Sequence, residues 1–219
     1  MNKTRLRLAA ALIVALPLLQ ACVPAVVATG AAVGVMSVTD RRQTGVQAED
    51  EAIEWKAAQS VPQQYAAAAH LNFTAFNKYL LVTGEVSGEE AKNAIGIEAA
   101  KVAGVRGVYN ETLVGPASTL TARSNDSYIT SKVKARLVDT NQLSANHIKV
   151  LSERGIVYLM GIVNEREAKV AVAVARTTAG VAKVVNVLEI VSEDETRRLD
   201  NQVLGSRTAP PQSAPVETR

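Results

Sequence analysis

The run YLLVTGEV, Tyr79 to Val86, returns as IVYLMGIV, Ile156 to Val163, at an offset of 77 residues. Both are β-rich, and both close on a glycine, Gly84 or Gly161. Runs of this length and composition read as strands. At the same offset Glu90-Ala91-Lys92 matches Glu167-Ala168-Lys169, each opening a helical run. One deletion later, Gly104 and Val105 with Asn110 match Gly180 and Val181 with Asn186. Three matched blocks in one order make an internal repeat.

Each copy reads as helix, strand, strand, helix, strand, an α+β plan with a small mixed sheet and its helices on one face. In the second copy Asp126 or Ser127 is placed to cap a helix whose Ile129, Val133 and Leu137 recur at four-residue spacing along one face. His147, Lys149 and Leu151 alternate along a short strand, and Glu153-Arg154-Gly155 turns the chain into Ile156 to Gly161 as a hairpin. Glu165 or Glu167 starts a helix with Ala168, Ala171, Val172 and Ala175 available for packing, and Gly180 stops it. Val181 to Val191 is the last strand, which a right-handed crossover lays parallel to its neighbour. The first copy repeats the plan: a helix near Glu49 to Gln59, a hairpin from His70 to Gly84, a helix from Glu89 to Ala103 and a strand from Val105 to Val114. The domains are thus 46–115 and 124–192, joined by the linker 116–123. Units of about 65 to 70 residues are marginal alone, so the two are expected to pack on each other or to use the second sheet face for binding.

Ahead of the repeat, Lys3, Arg5 and Arg7 precede an apolar run from Leu8 to Leu19 and then Cys22. This order reads as a secretory signal over 1–21. An apolar run of about 12 residues spans about 18 Å as a helix, short of a hydrocarbon core of about 30 Å. Leu19-Gln20-Ala21-Cys22 resembles a lipobox, whose cysteine becomes the acylated N-terminus, and Cys22 is the only cysteine. Acyl chains acting together anchor firmly where a single one is marginal. Val23 after the cysteine, rather than aspartate, favours the outer membrane by resemblance to sorting rules. Residues 22–45 read as an acylated, membrane-proximal spacer, and 193–219, charged and then rich in Pro, Ser and Thr, as a disordered tail.

Removing the leader takes the 24 basic side chains to 21, equal to the 21 acidic ones. The sequence pI near 9.0 therefore belongs largely to the leader and is no nucleic-acid signature. The two copies differ in sign: 46–122 carries 5 basic and 9 acidic residues, 123–191 carries 10 and 6. An anionic surface would draw the second copy and repel the first, at about 1 kcal/mol per basic residue. The opposite charges would equally serve to hold the copies together.

The repeat resembles the BON domain, a periplasmic module. The resemblance is carried by the acidic start and Ile129/Val133/Leu137 helix, the strand Val157 to Val163, the helix entry Glu165 to Lys169, and Gly180-Val181 before Asn186. With the lipobox and the approach Asp40 to Gly45, the chain is similar to dual-BON lipoproteins. The first copy is looser, with Tyr65 to Ala69 where the family is more varied. The resemblance implies an outer-membrane lipoprotein facing the periplasm. It would recognise anionic phospholipid, phosphatidylglycerol or cardiolipin, through the first helix of its second domain, settle at division sites and support envelope integrity. By position it implies Tyr128, Val133 and Val138 as lipid-facing residues with Lys132 and Lys134 alongside. Tyr128 stands where the family carries tryptophan.

Catalytic groups are few. His70 and His147 lie at matching strand positions and read as packing residues, and with the one thiol acylated neither a cysteine site nor a His-rich metal site can be built. The glutamates at 89, 90, 165 and 167 stand at helix starts, where the macrodipole accounts for them. No enzyme, cofactor or metal is expected. With aromatics at 4%, base stacking and nucleic-acid binding are disfavoured. Envelope proteins are the alternative partners, in a protein-binding or chaperone-like role.

Overall fold

Two hairpin turns define both halves of the molecule. Asn77 and Lys78 have φ of 50° and 67°, and Arg154 and Gly155 have 51° and 73°. Two successive left-handed residues suit the twist of a tight hairpin. Each turn is held by an aspartate from a preceding helix. Asp50 accepts from the Asn77 and Lys78 amides at 2.8 and 2.7 Å, and Asp126 from those of Arg154 and Gly155 at 2.9 and 2.8 Å.

The computed structural model describes residues 40–66 and 69–205. The leader, Cys22, the spacer to residue 39 and the tail from 206 lie outside them. The first domain runs α1 (Thr44–Ser60), α2 (Gln63–Ala66), β1 (His70–Phe76), β2 (Tyr79–Val86), α3 (Glu89–Ala100), β3 (Gly107–Asn110) and β4 (Leu113–Val114). The second runs α4 (Leu120–Asp139), a 3-10 turn (Ala145–His147), β5 (Ile148–Glu153), β6 (Ile156–Val163), α5 (Glu165–Arg176) and β7 (Lys183–Ile190), and α6 (Glu193–Gly205) follows. In both sheets the hairpin is antiparallel and the last strand joins the central one in parallel, Leu80 facing Val108 and Leu159 facing Asn186. This is the expected α+β plan in tandem.

The central strands β2 and β6 are buried on both faces, which explains the unbroken apolar run of β6 and that of Tyr79 to Val82 in β2, where Thr83 and Glu85 are buried beyond it. On one face of each sheet lie its own helices: Ile53, Ala57 and Ile95 pack on Leu80 and Val82, and Ile129, Val133 and Leu137 on Val157 and Leu159. On the other face the sheets meet, through Phe76 and Leu81 from one and Tyr158, Met160, Ile162 and Val187 from the other. Of the two expected arrangements, packing of the copies on each other is the one found. The layers run helix, sheet, sheet, helix, so α1 and α4 lie on opposite outer faces. Gly84 and Gly161 fall inside their strands rather than at the ends. A Cβ there would sit 1.9 Å from the His70 carbonyl oxygen and 2.3 Å from that of His147, so the start of each hairpin needs a bare backbone at that point.

Several boundaries differ from the sequence reading. Asp126 is no N-cap: it is buried within α4 and spent on the hairpin turn, while Thr119 accepts from the Ala122 amide at 3.2 Å and starts the helix earlier. The linker therefore ends at Thr119. His147 precedes β5 in the 3-10 turn rather than lying in a strand. The tail is helical over Glu193–Gly205, with Asp194–Arg197 and Glu195–Arg198 pairs three residues apart along it and Leu199 packed on the seam between the sheets.

The end of the spacer is also part of the fold. Arg41, 5% exposed, donates to Glu167 at 2.8 and 3.0 Å, to Asp200 at 2.8 and 3.0 Å and to the Ile162 carbonyl at 2.8 Å. Burial works against the charge on all three side chains, but the shared hydrogen bonds prevail, raising Arg41 and lowering Glu167 and Asp200 from their ordinary values. Glu167 is at the same time the N3 residue of a capping box with Asn164. One arginine thus ties the entry to the first domain to the second domain and to α6.

Candidate functional site

The outward face of α4 carries a stripe at helical spacing: Leu120, Ser124, Ser127 and Tyr128, Ser131, Ala135 and Val138, all exposed. Leu120, Tyr128 and Val138 are 79%, 62% and 60% exposed. From Leu120 to Val138 the stripe is about 27 Å long at 1.5 Å per residue. It holds no charge, and two of its serines turn inward on the helix. Ser127 donates to the Arg123 carbonyl at 3.1 Å and Ser131 to that of Ser127 at 3.0 Å. Hydroxyls satisfied in this way need little from water.

Basic residues flank the stripe, with different duties. Lys132 donates to the Ala179 carbonyl beyond the end of α5, and its ammonium lies 4.6 Å from the Tyr128 ring centroid. Arg136 donates to the Val174 carbonyl at 3.1 Å and to the Thr178 and Thr177 hydroxyls at 2.8 and 3.0 Å. Both cations complete the C-terminal end of α5 and lock α4 against it. Arg123 turns back to Ser118 at the helix start. Lys134 is exposed on the other flank.

Of the five residues named for lipid contact, the structure brings Tyr128 and Val138 onto one outer stripe with Lys132 and Lys134 at its sides. Val133 is a correction. It has no exposed surface and packs in the core with Ile129 and Leu137, because four-residue spacing from Ile129 keeps it on the inner face. Leu120 and Ser124 escape the sequence reading because an N-cap at Asp126 rather than Thr119 starts the helix seven residues late and leaves its first turn in the linker, while Ser127 and Ser131 carry no apolar signal to single them out. Cys22 lies outside the described residues.

The charge difference between the copies is spent partly between them. Across the seam Lys149 pairs with Glu54 at 2.9 Å and Arg154 with Glu85 at 3.8 Å, basic residues of the second copy on acidic ones of the first, while Glu189 runs in the opposite sense, pairing with Arg106 at 3.8 Å and accepting from Asn77 at 2.6 Å. Holding the copies together thus accounts for some of the opposite charge, and exposed Lys134 on α4 is part of what remains. Among the described residues no helix is long and apolar enough to cross a membrane.

Comparison with known proteins fits this architecture. The BON domain family matches residues 49–116 and 125–192. The chain is 36% identical over 173 residues to the outer membrane lipoprotein DolP of Haemophilus influenzae, covering 78% of this chain and 89% of that protein. It is 34% identical over 158 residues to a 21 kDa hemolysin of Actinobacillus pleuropneumoniae, covering 69% and 79%. A solved structure of CdsD, a structural protein of the type III secretion system of Chlamydia trachomatis, aligns at 16% identity and a TM-score of 0.28 over 75% of this chain and 99% of that one, too distant to argue from. With both matched segments falling on the two α-β-β-α-β units, the chain belongs to the BON-domain family, as an outer-membrane lipoprotein with two BON domains.

Proposed function

We propose that the protein is held at the outer membrane by acyl chains on Cys22 and docks on anionic phospholipid through the outer stripe of α4. In this way it supports envelope integrity at division sites, as a binder rather than a catalyst. The observation that carries this reading is the stripe itself: three large apolar side chains in line on an uncharged, solvent-facing surface, between basic residues.

Each part has a physical counterpart in the interface. Tyr128 offers an amphipathic ring at the headgroup level. Lys132, lying over that ring, holds it upright, so its contribution is as much positioning as charge. Lys134 and its neighbours supply attraction of about 1 kcal/mol each near an anionic surface. Such contact is weak alone. A chain already tethered by its acylated end meets the surface at high local concentration, so weak contact suffices to choose a lipid environment.

The test is vesicle co-sedimentation of a chain starting at residue 23. Binding is expected to vesicles containing phosphatidylglycerol or cardiolipin and not to pure phosphatidylcholine, to fall with salt, and to weaken in Tyr128→Ala and Lys134→Glu. Equal binding by wild type and both variants would sink the helix assignment. Cross-linking to one envelope protein without vesicle binding would favour the protein-binding role instead.

A further inference from the structure

Three side chains that no sequence motif connects meet at the seam between the two sheets. Strand alternation puts His70, Asn72 and Phe76 of β1, Leu81 and Glu85 of β2, and Leu151 and Glu153 of β5 on the facing sides. One nitrogen or oxygen from each of His70, Glu85 and Glu153 lies within 4.8 Å of the other two. His70 Nδ1 is 3.2 Å from Glu85 Oε2.

Glu85 has no exposed surface, yet its Oε1 lacks a hydrogen-bond partner among the described residues. Its ion-pair partner is Arg154, whose Nε stands 3.8 Å away on a side chain that is 41% exposed. A buried carboxylate oxygen left in this condition is costly unless a cation takes it up. The carboxylates are also already aimed. The Ser118 amide donates to Glu85 Oε2 at 3.1 Å, and Asn72 Nδ2 donates to Glu153 Oε1. Donors of this kind orient metal-binding carboxylates from behind.

We propose that His70, Glu85 and Glu153 form a binding site for a divalent transition-metal ion, which ties the first BON domain to the second. One imidazole nitrogen with two carboxylates suits Zn²⁺ or Mn²⁺ better than Mg²⁺ or Ca²⁺, which favour oxygen alone. Tetrahedral zinc, with bonds of about 2.0 to 2.2 Å, sets neighbouring donors roughly 3.4 Å apart, so modest side-chain movement closes the cluster and water completes it. Arg154 would swing from Glu85 toward solvent as the ion enters, and His70 would bind as neutral imidazole. The sequence carried no sign of this site because its ligands come from three strands in two domains, without ligand spacing.

The experiment uses the full chain purified in detergent, stripped with a chelator and titrated with Zn²⁺, and with Co²⁺ as a visible-absorption probe. Expected are one ion per chain, a cobalt ligand-field band and a rise in Tm with zinc. His70→Gln and Glu153→Gln should each weaken binding about 10-fold or more, while Glu189→Gln, a seam residue outside the cluster, should leave it unchanged. Far-UV circular dichroism checks that each variant folds, and these two variants avoid altering the buried Glu85. Absence of saturable binding, or binding that both variants leave untouched, would overturn the proposal. Vesicle binding is read separately, so the fate of the α4 assignment does not decide this one.

Discussion

The helices α1 and α4 occupy equivalent places in the two domains, and they agree inside and disagree outside. On the inner face Asp50, Ile53 and Ala57 of α1 match Asp126, Ile129 and Val133 of α4, the aspartate closing a hairpin turn and the apolar residues filling the core. On the outer face α1 shows Thr44, Ala48, Glu51, Ala52, Trp55 and Gln59 where α4 shows its uncharged stripe. The helix α1 carries four acidic residues and one basic, α4 four basic and two acidic. Folding fixes the inner face twice over, so specialisation of one copy is written outside.

The largest expected effect tests what is peculiar to the first domain's entry. Arg41→Ala leaves Glu167 buried beside an orphaned carbonyl and should cost about 3 to 5 kcal/mol, read by chemical denaturation. Arg42→Ala, removing pairs to Asp40 and Asp50 and a stack on Phe76 at 4.0 Å, should cost less because its partners keep other contacts. Next come the matched aspartates. In an Arg42→Ala background, which removes the ion pair that Asp50 makes and Asp126 does not, Asp50→Ala and Asp126→Ala each orphan two turn amides and should each cost about 2 kcal/mol. A large difference between them would break the claimed equivalence of the inner faces. Outside, Lys134→Glu reverses one charge and should weaken binding to anionic vesicles by about 2 kcal/mol, roughly 30-fold, with Glu51→Gln on α1 changing it little.

The smallest effect is one of pH. Burial, and then the charge of Arg41, lower the pKa of His147 from its ordinary value; Nε2 lies 3.8 Å from Asp200 and Nδ1 has no hydrogen-bond partner among the described residues. A histidine with a lowered folded pKa contributes stability that is full above the unfolded value near about 6.5 and lost as pH falls through the folded one. Glu167 and Asp200, also lowered, add a loss at more acidic pH, below the ordinary carboxylate range. His147→Gln should flatten the first decline and spare the second, a difference visible in denaturation midpoints across mildly acidic buffers.

Periodicity made much of this legible. The two glycine-bearing strands, the hairpins and the core residues Ile129 and Leu137 follow from local pattern, because burial on a helix or strand repeats at a fixed interval. What escaped was long-range. An aspartate before an apolar helix has the chemistry of an N-cap, and only the fold shows that Asp126 reaches a turn 28 residues away. Arg41 reads as the end of the membrane-proximal spacer because its partners lie more than 120 residues on. The helical tail was hidden by the charge of its first six residues and by the Pro, Ser and Thr that follow, although Leu199 and Val203 recur at four-residue spacing. Val133 was assigned to two faces at once, packing by spacing and lipid by resemblance, and spacing was the better guide.

The single tryptophan offers the most direct test of the central assignment, because Trp55 sits 67% exposed on α1, on the face opposite α4. Its emission should stay unshifted when a chain starting at residue 23 meets phosphatidylglycerol vesicles. In a Trp55→Phe background, tryptophan introduced by Tyr128→Trp should shift to the blue with those vesicles and not with phosphatidylcholine. A blue shift of Trp55 in the wild type, with none from position 128, would place the membrane against the first domain and contradict the account.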